Sequence, residues 1–305
     1  MNQSLPTFPR LLFALILLMS ASTSISHADT SASVRVGLLT PILGHADTSA
    51  SVRVVSLTPA FAEDLFAIGA GAQVVGVSQF TVVPQAARLP RIASFSWIAS
   101  ERIVRLHPDL VVGIPAQAAL VADIARAGIH VLLLPNDSFD ELFSDLQTLG
   151  ILTGHRAQAY RLCAQLHARS LALARRVAGL PRPRVFVVLG VAPIYTVSDR
   201  SYIARLIELA GGTNAVTGTP EAYPRYSAEA LVALQPDVII ADQAVGLASV
   251  LDRPPWNALT AVRTKHLFMI DDPAILLQPA ARYNEGVAWL ISRLHPHAAR
   301  TAAAR

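Results

Sequence analysis

Apolar residues along the chain form short, nearly continuous runs that alternate with longer segments of mixed apolar and polar character. The short runs are at 52–57, 74–77, 110–112, 131–134, 184–189, 238–241 and 267–270. Runs of this length are typical of strands that a parallel sheet buries on both faces. Apolar residues recur at the three- and four-residue spacing of helices in 60–68, 120–127, 139–152, 202–210 and 284–294. This alternation predicts an α/β fold with mainly parallel sheets covered by helices.

The longest segment of helical character is 154–178, in the middle of the chain. Its apolar stripe comprises Leu162, Leu166, Leu173 and Val177, with Ala159 and Cys163 alongside. Gly179 and the prolines that follow it end the pattern. At 1.5 Å per residue this helix would be about 40 Å long. Cys163 is the only cysteine and cannot form an internal disulfide, so its place in the stripe predicts a small buried hydrophobe.

Two similar segments flank the predicted long helix. The matching positions are Ser100, Glu101 and Asp109 in the first segment and Ser227, Glu229 and Asp237 in the second. In each segment the serine is predicted to cap a short helix that carries the glutamate in its first turn. A Pro-Asp turn then leads into a buried strand.

This repeat predicts two similar lobes joined by one helix. We expect an N-terminal lobe at 51–153, a linker helix at 154–179 and a C-terminal lobe at 180–297. The segments 78–90, 92–100, 190–199 and 223–226 are predicted to be loops. His295 to His297 and an alanine-rich tail, 298–305, are predicted to be frayed.

The N-terminus has the pattern of a secretory signal. Arg10 precedes an apolar core, 11–19, and a small polar stretch that ends at Ala28. The pattern predicts a signal peptide at 1–28, cleaved near Ala28, and therefore a periplasmic location. Residues 27–36 recur at 45–54, so we interpret 29–50 as a duplicated, poorly ordered arm.

Composition excludes some classes of function. The chain is 52% hydrophobic and 15% charged, which is typical of a filled globular protein. Its net charge is +4, but no basic cluster is interleaved with aromatic residues, so nucleic-acid binding is not expected. Catalytic sequence motifs are absent, the nine histidines are scattered and no cysteine pair exists, so no catalytic residue or metal site is predicted.

From Arg53 to Pro296 the chain resembles the periplasmic binding proteins of cobalamin, haem and ferric-siderophore ABC importers. The matching segments are RVVSLTP from Arg53, GAQVVGV from Gly71, the repeat from Glu101, LIELAGGTN from Leu206 and the repeat from Tyr226. The resemblance implies the helical-backbone fold of that family, in which two lobes hold one ligand between them. It also implies a binding protein without enzymatic activity.

The resemblance is nearest to the cobalamin-binding type, which implies cobalamin or a related corrinoid as the ligand. The positions implied to bind it are Thr58, Phe80, Phe95, Trp97, Tyr195, Tyr223 and Asp272. A flat, largely apolar ligand suits aromatic faces, which provide a large contact area. Tryptophans of the cobalamin pattern are replaced here by Phe or Tyr, and one falls at Ile114-Pro115.

Other ligands and functions stay open at this point. Haem would require an axial ligand, for which Tyr195, Tyr223 and Tyr226 are candidates. An anionic ferric siderophore would require arginines such as Arg225 and Arg282. A secreted α/β enzyme could use Asp271 or Asp272 as a general acid or base, although these aspartates also suit a turn before Pro273. A receptor that senses the ligand without transport is a further alternative.

The repeated glutamates are implied to dock the protein onto its transporter. In the family, one glutamate on each lobe contacts arginines of a permease dimer in the inner membrane, so Glu101 and Glu229 are the implied docking residues of a monomer. The alternative is that each carboxylate only complements a helix dipole, which contributes about 0.3–1 kcal/mol. No cofactor is expected beyond the transported ligand.

Overall fold

The computed structural model describes residues 51–94 and 96–298. The predicted signal peptide, the duplicated arm, Phe95 and the tail from residue 299 lie outside the described residues. The chain divides into two compact units. The N-terminal unit contains residues from 51 to His167 together with Pro279–Ala281, and the C-terminal unit contains Ala168–Gln278 together with 282–298.

The N-terminal unit is a parallel sheet with helices. Its strands are β1 (Val54–Ser56), β2 (Val74–Ser78), β3 (Arg91–Ala93), β4 (Leu110–Gly113) and β5 (His130–Leu133). They are ordered β3-β2-β1-β4-β5, and all neighbours are parallel. The helices of this unit before the linker are α1 (Pro59–Ala67), α2 (Ser100–Arg105), α3 (Ala122–Arg126) and α4 (Phe139–Leu152). Val55, Leu57, Ile103 and Val111 are buried in its core.

The C-terminal unit has a parallel sheet and a smaller antiparallel one. The parallel sheet is ordered β12-β11-β6-β9 and comprises β6 (Arg184–Val188), β9 (Thr213–Asn214), β11 (Val238–Asp242) and β12 (Leu267–Ile270). The antiparallel sheet is ordered β10-β8-β7 and comprises β7 (Gly190–Val191), β8 (Ile194–Tyr195) and β10 (Arg225–Tyr226). The helices are α6 (Tyr202–Leu209), α7 (Ala228–Leu234), α8 (Thr260–Arg263), α9 (Ala274–Leu277) and α10 (Tyr283–Leu294).

The predicted long helix is confirmed as α5 (Arg156–Arg176), and the division between the two units falls within it, after His167. Its buried residues repeat at three- and four-residue intervals and are Ala159, Cys163, Leu166, Ser170 and Leu173. Of the predicted stripe, Leu162 is only half-buried, and the buried Ser170 was not predicted. Cys163 is a free, buried thiol, and burial raises its pKa. The thiol is therefore a packed apolar group, as predicted.

The two repeated segments make the same set of hydrogen bonds to the start of the neighbouring strand, which we call the backbone clamp. The backbone N–H of Arg53 donates to the Asp109 carboxylate at 2.8 Å, and that of Arg184 donates to Asp237 at 2.7 Å. Each arginine also donates to a carbonyl near the end of the repeated helix: Arg53 to Leu106 and Arg184 to Leu234. The aspartate of the Pro-Asp turn thus fixes the backbone where β1 begins in one unit and where β6 begins in the other.

Five predictions of local structure are wrong. The predicted loop 92–100 contains most of β3, and the predicted loops 190–199 and 223–226 contain β7, β8 and β10. Ser100 is the first residue of α2 and caps nothing, whereas Ser227 caps α7 as predicted. His295 is not frayed, because it is 8% exposed and its Nε2 lies 3.3 Å from the Gly211 carbonyl.

Candidate ligand-binding site

Most of the predicted ligand-binding residues lie at or just beyond the carboxyl ends of strands. In the N-terminal unit, Thr58, Phe80 and Trp97 follow β1, β2 and β3. Because these strands are parallel, their carboxyl ends share one edge of the sheet, which we call the N-unit carboxyl edge. Open α/β sheets bind ligands outside this edge.

Thr58 has a structural role at this edge. It is the N-cap of α1, and its hydroxyl accepts a hydrogen bond from the Phe61 backbone N–H at 3.3 Å. The side chain is 4% exposed. Thr58 therefore positions the start of α1, and its predicted contact with a ligand stays a prediction.

A tight loop after β3 presents Trp97. The Ser94 hydroxyl accepts hydrogen bonds from the backbone N–H groups of Ser96 and Trp97, and the Ser94 N–H donates to the Trp97 carbonyl at 2.8 Å. The Trp97 side chain is 42% exposed. A large aromatic ring held in solvent by a fixed backbone is the kind of group that a ligand can cover.

The loop after β2 presents Phe80 and Val82. Phe80 is half-buried and Val82 is 56% exposed. The Arg91 guanidinium holds the loop by donating to the carbonyls of Ser78 and Thr81 at 3.1 and 2.7 Å. Arg91 is thus a positioning residue of this loop.

Sequence reasoning missed Gln117, a buried residue that organises the same edge. Its Oε1 accepts from the Ile114 N–H at 3.1 Å, and its Nε2 donates to the Leu57 carbonyl at 3.4 Å. The side chain therefore ties together the carboxyl ends of β1 and β4. Gly113 leaves room for it, since a Cβ there would lie 2.6 Å from the Gln117 Oε1. The only signal in the sequence was an amide residue shortly after Pro115.

Two polar residues follow β5 at the end of the N-unit carboxyl edge. Neither was identified from the sequence. Asn136 is buried and has a φ of 51°, the left-handed region that Asn tolerates better than most residues. Beside it, burial and the Glu141 carboxylate raise the pKa of Asp137 to about 6.

In the C-terminal unit the predicted tyrosines lie in or beside the antiparallel sheet. Tyr195 is on β8, opposite Arg225 on β10, and Tyr223 precedes β10. Tyr195 and Tyr223 are both half-buried. Tyr226 packs on the core ring of Phe186, with ring centroids 5.7 Å apart. Since β7 begins just beyond β6, this sheet continues from the carboxyl end of the parallel sheet.

The carboxyl end of β12 carries an ion-pair network. Arg282 donates to the Asp272 carboxylate at 2.9 Å and to the Glu285 carboxylate at 2.8 Å. The Glu285 hydrogen bond, supported by Asp272, raises the pKa of Arg282. Asp272 also accepts from the Ala274 N–H at 3.2 Å, which confirms its predicted role in the turn before Pro273.

Two further aspartates lie beside this network. Asp271 accepts a hydrogen bond from the Gln243 side chain at 3.1 Å. Asp242 ends β11 and accepts from the Ala244 N–H, and burial raises its pKa. Asp242, Asp271, Asp272, Arg282 and Glu285 together form what we call the C-unit acidic edge, with four carboxyl groups and one guanidinium.

Glu101 and Glu229 occupy matching places in the first turns of α2 and α7. Both residues are exposed. Within the described part of the chain, neither carboxylate forms an ion pair or a side-chain hydrogen bond. The fold therefore leaves both carboxylates available to a partner.

The described residues contain neither a metal site nor a helix that could cross a membrane. In 51–94 and 96–298, no group of three His, Cys, Asp or Glu side chains is arranged to hold a metal ion. Among the helices in these ranges, none has both the length and the apolar character that crossing a bilayer requires.

Comparison with known proteins places the chain in a family. The sequence pattern of the periplasmic binding protein family matches residues 54–274. The chain therefore belongs to this family, whose members bind solutes for transport. A vitamin B12-binding protein of Yersinia pestis (strain Pestoides F) is 30% identical over 180 residues, which cover 57% of this chain and 64% of that protein. The alignment thus spans slightly less than two thirds of the relative.

Solved structures show the same fold with different ligands. The vitamin B12-binding protein BtuF of Vibrio cholerae is 24% identical, with a TM-score of 0.68, and the match covers 80% of this chain and 96% of that one. The haem-binding protein RhuT of Roseiflexus sp. RS-1 is 27% identical, with a TM-score of 0.72, over 82% of this chain and 100% of that one. These matches confirm the predicted fold, and they do not separate cobalamin from haem.

Proposed function

We propose that this periplasmic binding protein captures cobalamin or a related corrinoid and delivers it to the permease of an ABC importer. Aromatic residues at the strand ends of both units, above all Trp97 and Tyr195, provide faces for a flat macrocycle. Their exposure and half-burial leave ring surface that a ligand can cover. The B12-binding relative supports this ligand class.

The charge of the C-unit acidic edge is the observation that carries the choice of ligand. Arg282, a candidate for meeting an anionic chelate, is already paired with Asp272 and Glu285. A haem with its propionates, or an anionic ferric siderophore, would meet excess negative charge at this edge. A corrinoid presents mostly neutral amide groups, which can donate hydrogen bonds to carboxylates.

The experiment that tests this proposal is a titration of the secreted protein with cyanocobalamin, haemin and an anionic ferric catecholate. Tryptophan fluorescence and visible absorbance are followed together. We expect saturable 1:1 binding of cyanocobalamin with quenching of Trp97, and weak or no binding of the two anionic chelates. A new haem absorption band with tight haemin binding would overturn the corrinoid assignment and indicate Tyr195 or Tyr223 as axial ligand.

Variants locate the ligand. Trp97→Ala and Tyr195→Ala should each weaken cyanocobalamin binding about tenfold, because aromatic anchors in binding sites contribute more than about 1 kcal/mol. Trp97→Phe should keep most of the affinity and lose most of the quenching. Tyr160→Ala is the matched control, since Tyr160 is a similarly exposed aromatic residue on α5 (45% against 42%). Equal losses in the control would exclude these strand ends as the site.

The remaining parts of the proposal concern location and delivery. The signal peptide at 1–28 would direct the protein to the periplasm, and mass spectrometry of the secreted chain should show a start near Asp29.

Glu101 and Glu229 are proposed to contact arginines of a permease dimer in the inner membrane, with the binding protein acting as a monomer. Their exposure, and the absence of ion pairs to them in the described residues, support this role.

A further inference from the structure

The outer surface of α5 is purely basic. Its 21 residues contain no Asp or Glu, and its arginines are Arg156, Arg161, Arg169, Arg175 and Arg176. All five residues are exposed. Among the described residues none of them takes part in an ion pair. The positive charge of this helix is therefore not neutralised by the fold.

Large apolar side chains lie between these arginines. Tyr160 is 45% exposed and Leu171 is 57% exposed. The two residues are three helical turns apart and so lie on one side of the helix, about 100° around its axis from the middle of the buried stripe. Their exposure is not explained by the core of either unit.

The Arg156 guanidinium adds to this surface. It lies over the ring of Tyr160, 5.6 Å from the ring centroid. The pair therefore presents a cation and an aromatic ring together. Tyr and Arg in combination are favoured at the boundary between lipid headgroups and acyl chains.

We propose that this face of α5, defined by Arg156, Tyr160, Arg161, Leu171 and Arg175, rests on the surface of an anionic phospholipid bilayer. The guanidinium groups would pair with lipid phosphates, and Tyr160 and Leu171 would enter the interfacial layer. The helix is about 30 Å long. A fluid bilayer can bring a phosphate to every arginine along that length, whereas a folded acidic protein would need carboxylates at matching positions. This surface is separate from the proposed ligand and permease residues.

The test is flotation of the secreted protein with vesicles of phosphatidylcholine alone or mixed with phosphatidylglycerol. We expect binding only to the vesicles containing phosphatidylglycerol, decreasing as salt rises. Arg161→Glu/Arg175→Glu should lower the partition coefficient at least about tenfold. Tyr160→Ser/Leu171→Ser should lower it by a smaller factor at the same net charge. All variants share the parent's N-terminus, so any contribution from that end cancels.

The matched control is Arg253→Glu/Arg263→Glu, which changes net charge equally at exposed positions outside α5. The control should keep the parent's partition coefficient, and a loss equal to that of the α5 variant would overturn the assignment to α5. If the parent protein binds neither vesicle but is retained on immobilised polyglutamate, the proposal that α5 contacts a bilayer is overturned. An acidic protein would then be the favoured partner. Circular dichroism and urea denaturation of each variant show whether the fold is intact, and neither measurement depends on the ligand proposal.

Discussion

The repeated segments α2–β4 and α7–β11 make the same backbone contacts with the neighbouring strand. They differ in how the chain enters the helix. In both, an aspartate accepts the backbone N–H of the arginine at the start of the neighbouring strand. In both, the residue before the Pro-Asp pair has a positive φ, 47° at His107 and 42° at Gln235. These matching features maintain the fold, because each makes a backbone contact or turn that the strand needs.

The entries to the two helices are different. Strand β10 leads directly into α7, so Ser227 is extended and its hydroxyl accepts from the Ala230 N–H at 3.0 Å. In the other unit Ala99 is the N-cap of α2, and its backbone (φ −84°, ψ 71°) brings the chain into the helix at Ser100. The glutamates are retained although the caps differ. The backbone contacts of the fold thus explain why an aspartate occurs in both segments. They do not explain why a glutamate occurs in both.

Reversing both glutamate charges should have the largest effect, and it tests whether the glutamates have a role beyond the fold. In Glu101→Lys/Glu229→Lys, uptake of the ligand by cells should be abolished, because lysines would repel the arginines that we propose on the permease. The affinity for cyanocobalamin should be unchanged. Growth on limiting cobalamin and titration of the purified variant measure the two effects. Normal uptake by the double variant would leave only the helix-dipole explanation.

Two glycines test how closely helices pack in each unit. In the C-terminal unit a Cβ at Gly286 would lie 2.1 Å from the Ile275 carbonyl oxygen. Because that neighbour is backbone, Gly286→Ala should lower the free energy of unfolding by about 3 kcal/mol.

In the N-terminal unit a Cβ at Gly150 would lie 2.4 Å from the Ala159 Cβ. Gly150→Ala should cost about 1–3 kcal/mol, and Gly150→Ala/Ala159→Gly should recover part of the loss. Urea denaturation measures both. If Gly286→Ala were neutral, the described approach of α9 and α10 would be wrong.

The shared clamp predicts equal effects in the two units. Asp109→Ala and Asp237→Ala should each lower the free energy of unfolding by about 1–2 kcal/mol, since each removes a charged acceptor of a backbone N–H. The conservative changes to Asn keep an acceptor oxygen and should cost less. Clearly unequal losses, measured by urea denaturation, would show that the two clamps are not equivalent.

The differing helix starts predict unequal effects. Ser227→Ala should cost about 1 kcal/mol because it removes an N-cap, whereas Ser100→Ala should stay within about 0.5 kcal/mol. Thermal and urea denaturation of both variants provide the measurement. A similar cost at Ser100 would mean that its hydroxyl caps α2 after all.

The sequence patterns predicted those parts of the fold that bury continuous apolar runs. Strands β1, β4, β6 and β11 and helices α4 and α5 were recognised in this way. Strand β3 was missed because its three residues begin with an arginine, and β7, β8 and β10 were missed because two residues are too few to show a period. Pairing with neighbours, not local pattern, defines these short strands.

The candidate site was predictable in its location more than in its chemistry. The aromatic residues were identified from the resemblance, and the structure puts most of those it describes at strand ends. Arg282 pairs with Glu285 at the i,i+3 spacing common in helices, whereas its pair with Asp272, ten positions earlier, follows no recognisable motif. The role of Gln117 depends on contacts with Leu57, sixty positions earlier in the chain. Such long-range contacts exist only in the folded chain.

The segment Pro279–Ala281 has a consequence for any attempt to dissect the protein. It belongs to the N-terminal unit although its flanking residues belong to the C-terminal unit. There the Ala281 N–H donates to the Asp64 carboxyl at 2.9 Å, and burial raises the pKa of that carboxyl. A gene fragment that ends at His167 would therefore encode an N-terminal unit without this donor. A circular permutant that keeps 279–281 with the fragment would be the better starting point for isolating it.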